Sequence, residues 1–206
     1  YSKKAWTSQP TQSINYVSCH DDMMLTDRLK ANKKLKAGEL QRLSKLAQTA
    51  VLTSQGMPFL WCGEEIARDK KGVHNSYCSP DDINAIDWSL KAENLDLFAY
   101  YQGLIAMRKA HPAFHMGDAD LVRENVHFLE APAGVVAYQL NGEAVGDEWK
   151  TIIVILNSQL STINYQLPEG EYHVAVADGK CPAAAQGLLK GSAKVVAQSA
   201  LVLYQL

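Results

Sequence analysis

A chain of 206 residues, 47% of them hydrophobic and 20% charged, is long and apolar enough to bury one large core or two small ones. Its formal net charge of −2 provides no broad basic field, which argues against a nucleic-acid partner, and no apolar run approaches the roughly 20 residues of a membrane span. The four cysteines, Cys19, Cys62, Cys78 and Cys181, have no C-x-x-C spacing and read as reduced, mostly buried thiols. Cys62, His74 and Cys78 are irregularly spaced and lack an evident fourth ligand, so no metal or other cofactor is expected.

In chain order, Ser13–Cys19 is rich in β-formers and predicts a strand, which stops at the polar cluster His20-Asp21-Asp22. Lys30, Lys33, Lys34 and Lys36 form a local basic run that reads as a solvated loop or helix face. Leu40, Leu43, Leu46, Ala47, Ala50 and Val51 recur at helical spacing and predict a helix from about Gly38 to Ser54, closed by Gly56 and Pro58. Met57–Cys62 is a continuous apolar run suited to a strand covered on both faces. Strand, helix, strand is a βαβ unit. A lone unit cannot cover both faces of its own strands, so the remaining sheet is expected upstream of Tyr1. The second strand ends at Gly63-Glu64-Glu65, a long loop spans Arg68–Asp87, and a helix runs from about Leu95 to Ala110 before Pro112.

From Ala113 onward the pattern reads as strands and turns throughout. Strands are predicted near Val126–Leu129, Val135–Leu140, Thr151–Leu156, Glu171–Val176, Lys194–Ala197 and Leu201–Tyr204. Turn signals at Pro132–Gly134, Asn141-Gly142, Pro168–Gly170 and Asp178-Gly179 separate them. This punctuation predicts an antiparallel sandwich.

Polar residues at the C-terminal ends of parallel strands are where α/β enzymes place their sites. His20-Asp21-Asp22 and Glu64-Glu65 occupy two such ends. Together they would give an acidic pocket suited to sugars, whose hydroxyls need donors and acceptors and whose cationic transition state needs negative charge. Taken alone, an Asp-Asp pair after a strand also reads as a turn or a helix N-cap. Asp81-Asp82, after Ser79-Pro80, reads as turn or cap, and His74 as a loop residue. Glu64-Glu65 is a poor acid/nucleophile pair, because consecutive strand residues face opposite sides. Tyr77 and Trp88 read as either sugar-stacking platforms or core aromatics.

Tyr16-Val17-Ser18-Cys19-His20-Asp21-Asp22 resembles the strand-seven motif of the α-amylase superfamily, glycoside hydrolase family 13. Gly56–Glu65 resembles that family's strand eight. The stretch from Asn75 to Trp88 is similar to its debranching members, the bacterial type I pullulanases. The resemblance is sharp before Trp88 and diffuse beyond it.

It implies the last two β/α units of a (β/α)8 barrel over residues 1–112, followed by an antiparallel β-sandwich over residues 113–206. It also implies retaining hydrolysis of α-1,6 branch linkages in an α-glucan. The nucleophilic aspartate and acid/base glutamate would lie on earlier barrel strands, in an upstream remainder of the same polypeptide, so this chain alone is expected to be inactive. By the same resemblance, Asp21 matches the third carboxylate of the site and His20 the histidine that donates to sugar hydroxyls. Asn75 and Tyr77 match a loop bordering the glucan cleft. Asp22 stands where the family usually has Asn, which adds a charge and removes an amide donor. The competing readings are a non-catalytic glucan-binding or structural module, and a piece of another superfamily enzyme such as a branching enzyme. The sequence assigns no compartment; an extracellular or periplasmic place fits a bacterial parent.

Overall fold

The strand–helix–strand order expected near the start is present in abbreviated form. In this computed structural model, which describes residues 6–32, 35–36, 38–184 and 187–206, β1 (Ile14–Asn15) and β2 (Met57–Pro58) pair in parallel. Two helices fill the connection, α1 (Leu25–Ala31) and α2 (Glu39–Thr53). Each predicted strand shrinks to two residues. Pro58 brings no N–H to the ladder, and no third strand lies alongside to extend it among the described residues. The expected burial on both faces is not observed either: Ile14, Tyr16, Met57 and Phe59 are exposed, because a two-stranded ladder has nothing to cover its faces. Of the basic run, Lys30 and Lys36 are solvated and Lys33 and Lys34 lie outside the described residues.

Helix α2 ends where Arg108 reaches it. The buried guanidinium donates to the carbonyls of Leu52 (2.9 Å), Ser54 (2.8 Å) and Gly56 (2.7 Å), the acceptors a helix terminus leaves unpaired. The long loop contains a single turn of helix, α3 (Asp81–Asn84), and another, α4 (Leu90–Glu93), follows it. Asp81 and Asp82, expected at a turn or cap, instead form the first turn of α3, with Pro80 at the cap position. Helix α5 spans Leu95–Ala110 as the periodicity predicts, and Pro112 opens a short 3-10 turn beyond it.

The second half is not strands and turns throughout. A seven-residue helix, α6 (Ala119–Asn125), precedes the sheet, started by Asp118, whose carboxylate accepts from the N–H groups of Asp120 (2.8 Å) and Leu121 (3.1 Å). The strands are β3 (Val126–Leu129), β4 (Val135–Asn141), β5 (Thr151–Asn157), β6 (Ile163–Val176), β7 (Leu189–Val195) and β8 (Ser199–Gln205). Pro168–Gly170 does not end a strand. It interrupts the β6 ladder between Gln166 and Glu171 while the strand continues, as at a bulge. Strand β7 lies earlier than the Lys194–Ala197 prediction.

All neighbours are antiparallel, in the order β3-β4-β5-β8-β6-β7. The two-layer sandwich is therefore one continuous sheet. Its early part pairs β6 with β7, its late part pairs β6 with β8, and the β6–β7 hairpin folds over the face of β4, β5 and β8.

Strict alternation sends residues of the central strands to two cores. Tyr138, Leu140, Ile152, Val154 and Val202 pack against Leu52 of α2 and Tyr100, Leu104 and Met107 of α5. Val135, Ala137, Ile153, Ile155, Leu201 and Leu203 pack against Tyr165, Tyr172, Ala193 and Val195 of the hairpin. Each fully buried Ile or Leu contributes roughly 2 kcal/mol by removal from water.

Further contacts join the halves. His111 Nδ1 lies 2.7 Å from Asp147 Oδ1, and the Asp147 carboxylate also accepts from the N–H groups of Ala113 (3.1 Å) and Trp149 (2.9 Å). The rings of His111, Trp149, Tyr204 and His173 stack in succession at centroid spacings of 3.5, 3.9 and 5.0 Å. Gly103 on α5 lets the chain at Cys181 press against the helix: a Cβ there would lie 1.8 Å from the Cys181 carbonyl oxygen.

The cysteines are less buried than expected. Cys62 and Cys78 are exposed, being on irregular segments, and Cys19 and Cys181 are half-buried. No described helix is long and apolar enough to cross a membrane.

Candidate functional site

Past β1 the chain turns irregular, and Ser18 is buried. His20, Asp21 and Asp22 are all exposed. His20 Nε2 lies 3.4 Å from Asp21 Oδ2. The His20 ring tilts against Trp61, with centroids 6.4 Å apart. Trp61 stacks in turn on Phe59 at 6.3 Å, and Tyr16 meets Phe59 edge-on at 6.1 Å. The polar segment after β1 and the aromatic segment after β2 thus stand together, as parallel pairing requires of neighbouring strand ends.

Asp22 is not a helix cap. Its backbone is left-handed (φ 63°), and α1 starts three residues later at Leu25 without a side-chain cap. Its carboxylate serves as a tie: Oδ1 accepts from the Met23 N–H (2.9 Å) and lies 2.6 Å from His74 Nδ1, and Oδ2 accepts from Arg28 (2.8 Å). The Met23 N–H and the Arg28 guanidinium hold this carboxyl below the usual aspartate range. The contact with His74 brings the loop that carries Asn75 and Tyr77 alongside His20-Asp21.

That loop is pinned from below. Asp27 is buried at the start of α1 and accepts from the N–H groups of Lys70 and Gly72, both at 2.8 Å. The Lys70 ammonium donates to Ser76 Oγ (2.6 Å) and lies 5.9 Å from the Trp61 ring centre. Burial lowers the Lys70 pKa. Asn84 donates to the carbonyls of Ser76 (2.7 Å) and Ser79 (2.8 Å), and Lys71 pairs with Asp82 at 3.1 Å. On this base Asn75 is exposed and Tyr77 is 82% exposed. Trp88 is 65% exposed, so neither Tyr77 nor Trp88 is a core aromatic among the described residues.

Glu64 and Glu65 do not lie on a strand. They open a 3-10 turn, Glu64–Ile66, after Gly63, whose φ of 100° and close approach to Arg68 (2.6 Å from a would-be Cβ) suit glycine. Glu65 folds back to accept from the Gly63 N–H (3.0 Å). Glu64 is 2% exposed and accepts from Ser18 Oγ and from Gln48 Nε2 (2.7 Å). Burial pushes its pKa up to about 7. Sequence reasoning set Glu64 aside and missed Asp27 and Lys70. The available signal was Gln48, a polar residue on the buried face of an amphipathic helix, which needs a partner. Cys62, His74 and Cys78 do not form a metal set, and no group of three or more His, Cys, Asp or Glu among the described residues is arranged to hold one.

Known proteins share both sequence and fold with this chain. Residues 122–180 match the family described as pullulanase, all-beta domain. The pullulanase of Bacillus subtilis (strain 168) is 36% identical over 161 residues, covering 78% of this chain and 22% of that protein. Chloroplastic pullulanase 1 of Arabidopsis thaliana is 34% identical over 135 residues, covering 61% of this chain and 14% of that protein. The solved pullulanase from Bacillus acidopullulyticus superposes with a TM-score of 0.92 at 39% identity, covering 96% of this chain and 25% of that one. The pullulanase of Anoxybacillus sp. LM18-11, solved in complex with maltotriose, gives 0.88 at 36% identity, covering 97% of this chain and 28% of that one. The chain is thus similar to a segment of these pullulanases, matches the pullulanase all-beta domain at residues 122–180, and spans 22% of the length of the Bacillus subtilis relative.

Proposed function

We propose that this chain is the C-terminal part of a glycoside hydrolase family 13 debranching enzyme and supplies one wall of its site for α-1,6 linkages. In this reading residues 1–112 are the last two β/α units of a (β/α)8 barrel and residues 113–206 the sandwich that supports them. The parallel β1–β2 pair and the polar residues beyond both strands support the barrel assignment. The substrate is an α-glucan, a class to which the maltotriose bound by the Anoxybacillus relative belongs.

The observation that carries the reading is the pairing of exposed His20 and Asp21 beside Trp61 at neighbouring parallel strand ends. A nucleophile and an acid/base from the rest of the polypeptide perform the retaining displacement. Asp21 adds fixed negative charge near the sugar ring as positive charge develops, and its acceptor oxygens orient the hydroxyls. His20 donates to those hydroxyls. Trp61 walls one side, and Asn75 and Tyr77 border the cleft. Asp22 makes no sugar contact in this scheme, since Arg28, His74 and Met23 occupy its carboxylate.

Asp21→Asn in the full-length polypeptide, assayed on pullulan, is expected to lower turnover by about 100-fold or more with the unfolding midpoint unchanged. Near-normal turnover would rule the assignment out.

A further inference from the structure

The carboxyl group of Glu64 is a meeting point of four parts of the chain. Ser18, on the segment leaving β1, donates to Oε1, and Gln48 of α2 donates to Oε2 at 2.7 Å. Tyr101 of α5 lies beside Gln48 and Glu64. The turn that carries Glu64 is tied back to Trp61, whose carbonyl accepts the Glu64 N–H at 3.1 Å. Two routes therefore lead from Glu64 to His20. One passes through Ser18, two residues earlier on the same segment. The other passes through Trp61, whose ring stands beside that of His20 at a tilt of 57°.

We propose that Glu64 is a positioning residue for His20 and Asp21, holding the segment that carries them at the depth and orientation the sugar site needs. The inference rests on the assignment of His20 and Asp21 to that site.

The surroundings of Glu64 leave it little alternative work. Ser18 and Gln48 are buried and uncharged. The titratable neighbours are Glu65 on the same turn and Tyr101 on α5. Helix α4 also packs against this turn, but its Lys91 lies over the ring of Phe98 at 4.3 Å and its Glu93 is exposed. No cation is paired with the carboxyl group among the described residues, so Glu64 is not half of a buried ion pair. Burial raises its pKa to about 7, in keeping with a group that works by hydrogen bonding rather than by charge. Gln48 Oε1 and the Tyr101 hydroxyl have no hydrogen-bond partner among the described residues. A glutamine at position 64 would still accept from Ser18, and its amide would reach Gln48 Oε1 once the Gln48 amide turned over. An alanine would leave the Ser18 hydroxyl and the Gln48 amide buried and unpaired.

The experiment compares Glu64→Ala, Glu64→Gln, Ser18→Ala and Asp21→Asn in the full-length polypeptide. kcat and KM on pullulan are measured well below each unfolding midpoint. Glu64→Ala is expected to lower kcat by about tenfold to a hundredfold, with KM within about threefold of wild type, as for a small misplacement of a catalytic wall. Ser18→Ala is expected to lower kcat in the same sense, and Glu64→Gln to stay within about threefold of wild type. Should Glu64→Ala not fold, Ser18→Ala and Glu64→Gln carry the test. Wild-type kcat in Ser18→Ala and in any folded Glu64→Ala would overturn the proposal, as would a Glu64→Gln whose kcat falls by about tenfold or more. Asp21→Asn separates the two claims. If Asp21→Asn retains turnover, the site assignment fails. If it is inactive while the Glu64 and Ser18 variants behave as wild type, only the positioning role fails.

Discussion

In the β-rich half, buried polar side chains answer their own backbone. Asn157, fully buried, donates to the carbonyls of Ser161, Val195 and Val196 at 3.0–3.2 Å and closes the end of the sheet. Asp147 gathers two backbone N–H groups and one histidine at the join between the halves. Around β1 and β2 the buried polar groups face the other way. Asp27, Lys70 and Glu64 each end on a segment whose next few residues are exposed: Lys70 and Asp27 on the loop bearing Asn75 and Tyr77, Glu64 on the segment bearing His20 and Asp21. The contrast teaches a division of labour. One region uses desolvated hydrogen bonds to complete a sheet, and the other uses them to hold a solvent-facing display.

The sharpest way to break this division is to force the halves apart. Gly103→Ala places a methyl against the Cys181 carbonyl, backbone against backbone, so neither side can yield cheaply. It should cost more than about 3 kcal/mol in urea unfolding, lowering the stability of sheet and helices together. A loss confined to one half would show that they fold independently.

Next in size is the pH response of Glu64. Its pKa in the folded chain is about 7 against an ordinary 4.5, so between those values the folded chain keeps a proton the unfolded chain has released. Stability therefore falls as pH rises through that window and levels off above it, by roughly 3 kcal/mol on the usual scale of 1.36 kcal/mol per pKa unit. Glu64→Gln should lack this component when unfolding midpoints are compared from pH 4.5 to 8. Identical slopes in the two proteins would contradict the burial argument.

Asp147→Ala should cost about 2 kcal/mol, since it strands two N–H groups and the buried His111 ring, and calorimetry of the isolated chain would register it. The smallest effect belongs to the display itself. Asp22→Asn should leave the unfolding midpoint unchanged, because the ties it breaks are solvent-exposed. It should alter KM more than kcat, because it frees the loop carrying Tyr77. A matching loss of thermal stability would mean that the loop supports the fold.

Much of the β half was legible in the sequence. Ile152-Ile153-Val154-Ile155 announces a strand buried on both faces, and α5 has the bounds its periodicity gives. What escaped reading depends on distant partners. Pro168–Gly170 looks like a turn and is a break within β6, because β7 pairs with the strand both before it, at Gln166, and after it, at Glu171. The short helix α6 hid behind the valines that lead into β3. At the site, His20 and Asp21 stood out by motif, but Glu64 looked like a poor acid and Asp22 like a misplaced charge. Their partners, Ser18, Gln48 and His74, lie 46, 16 and 52 residues away along the chain, beyond any local pattern. The apolar runs of β1 and β2 pointed to a covered sheet that the described residues do not supply.

The order of the large sheet has a consequence for how the chain is made. Strand β8 is the last of the six to be synthesised, yet it lies between β5 and β6 in the middle. Until residues 199–205 have left the ribosome, the β3–β5 meander and the β6–β7 hairpin wait as two pieces, each with an open edge and an uncovered apolar face. Insertion of Leu201, Val202 and Leu203 then completes both cores in one event. The nascent chain is thus most prone to aggregate just before strand β8 appears, and a premature stop before Ser199 would remove the centre of the sheet rather than trim its rim.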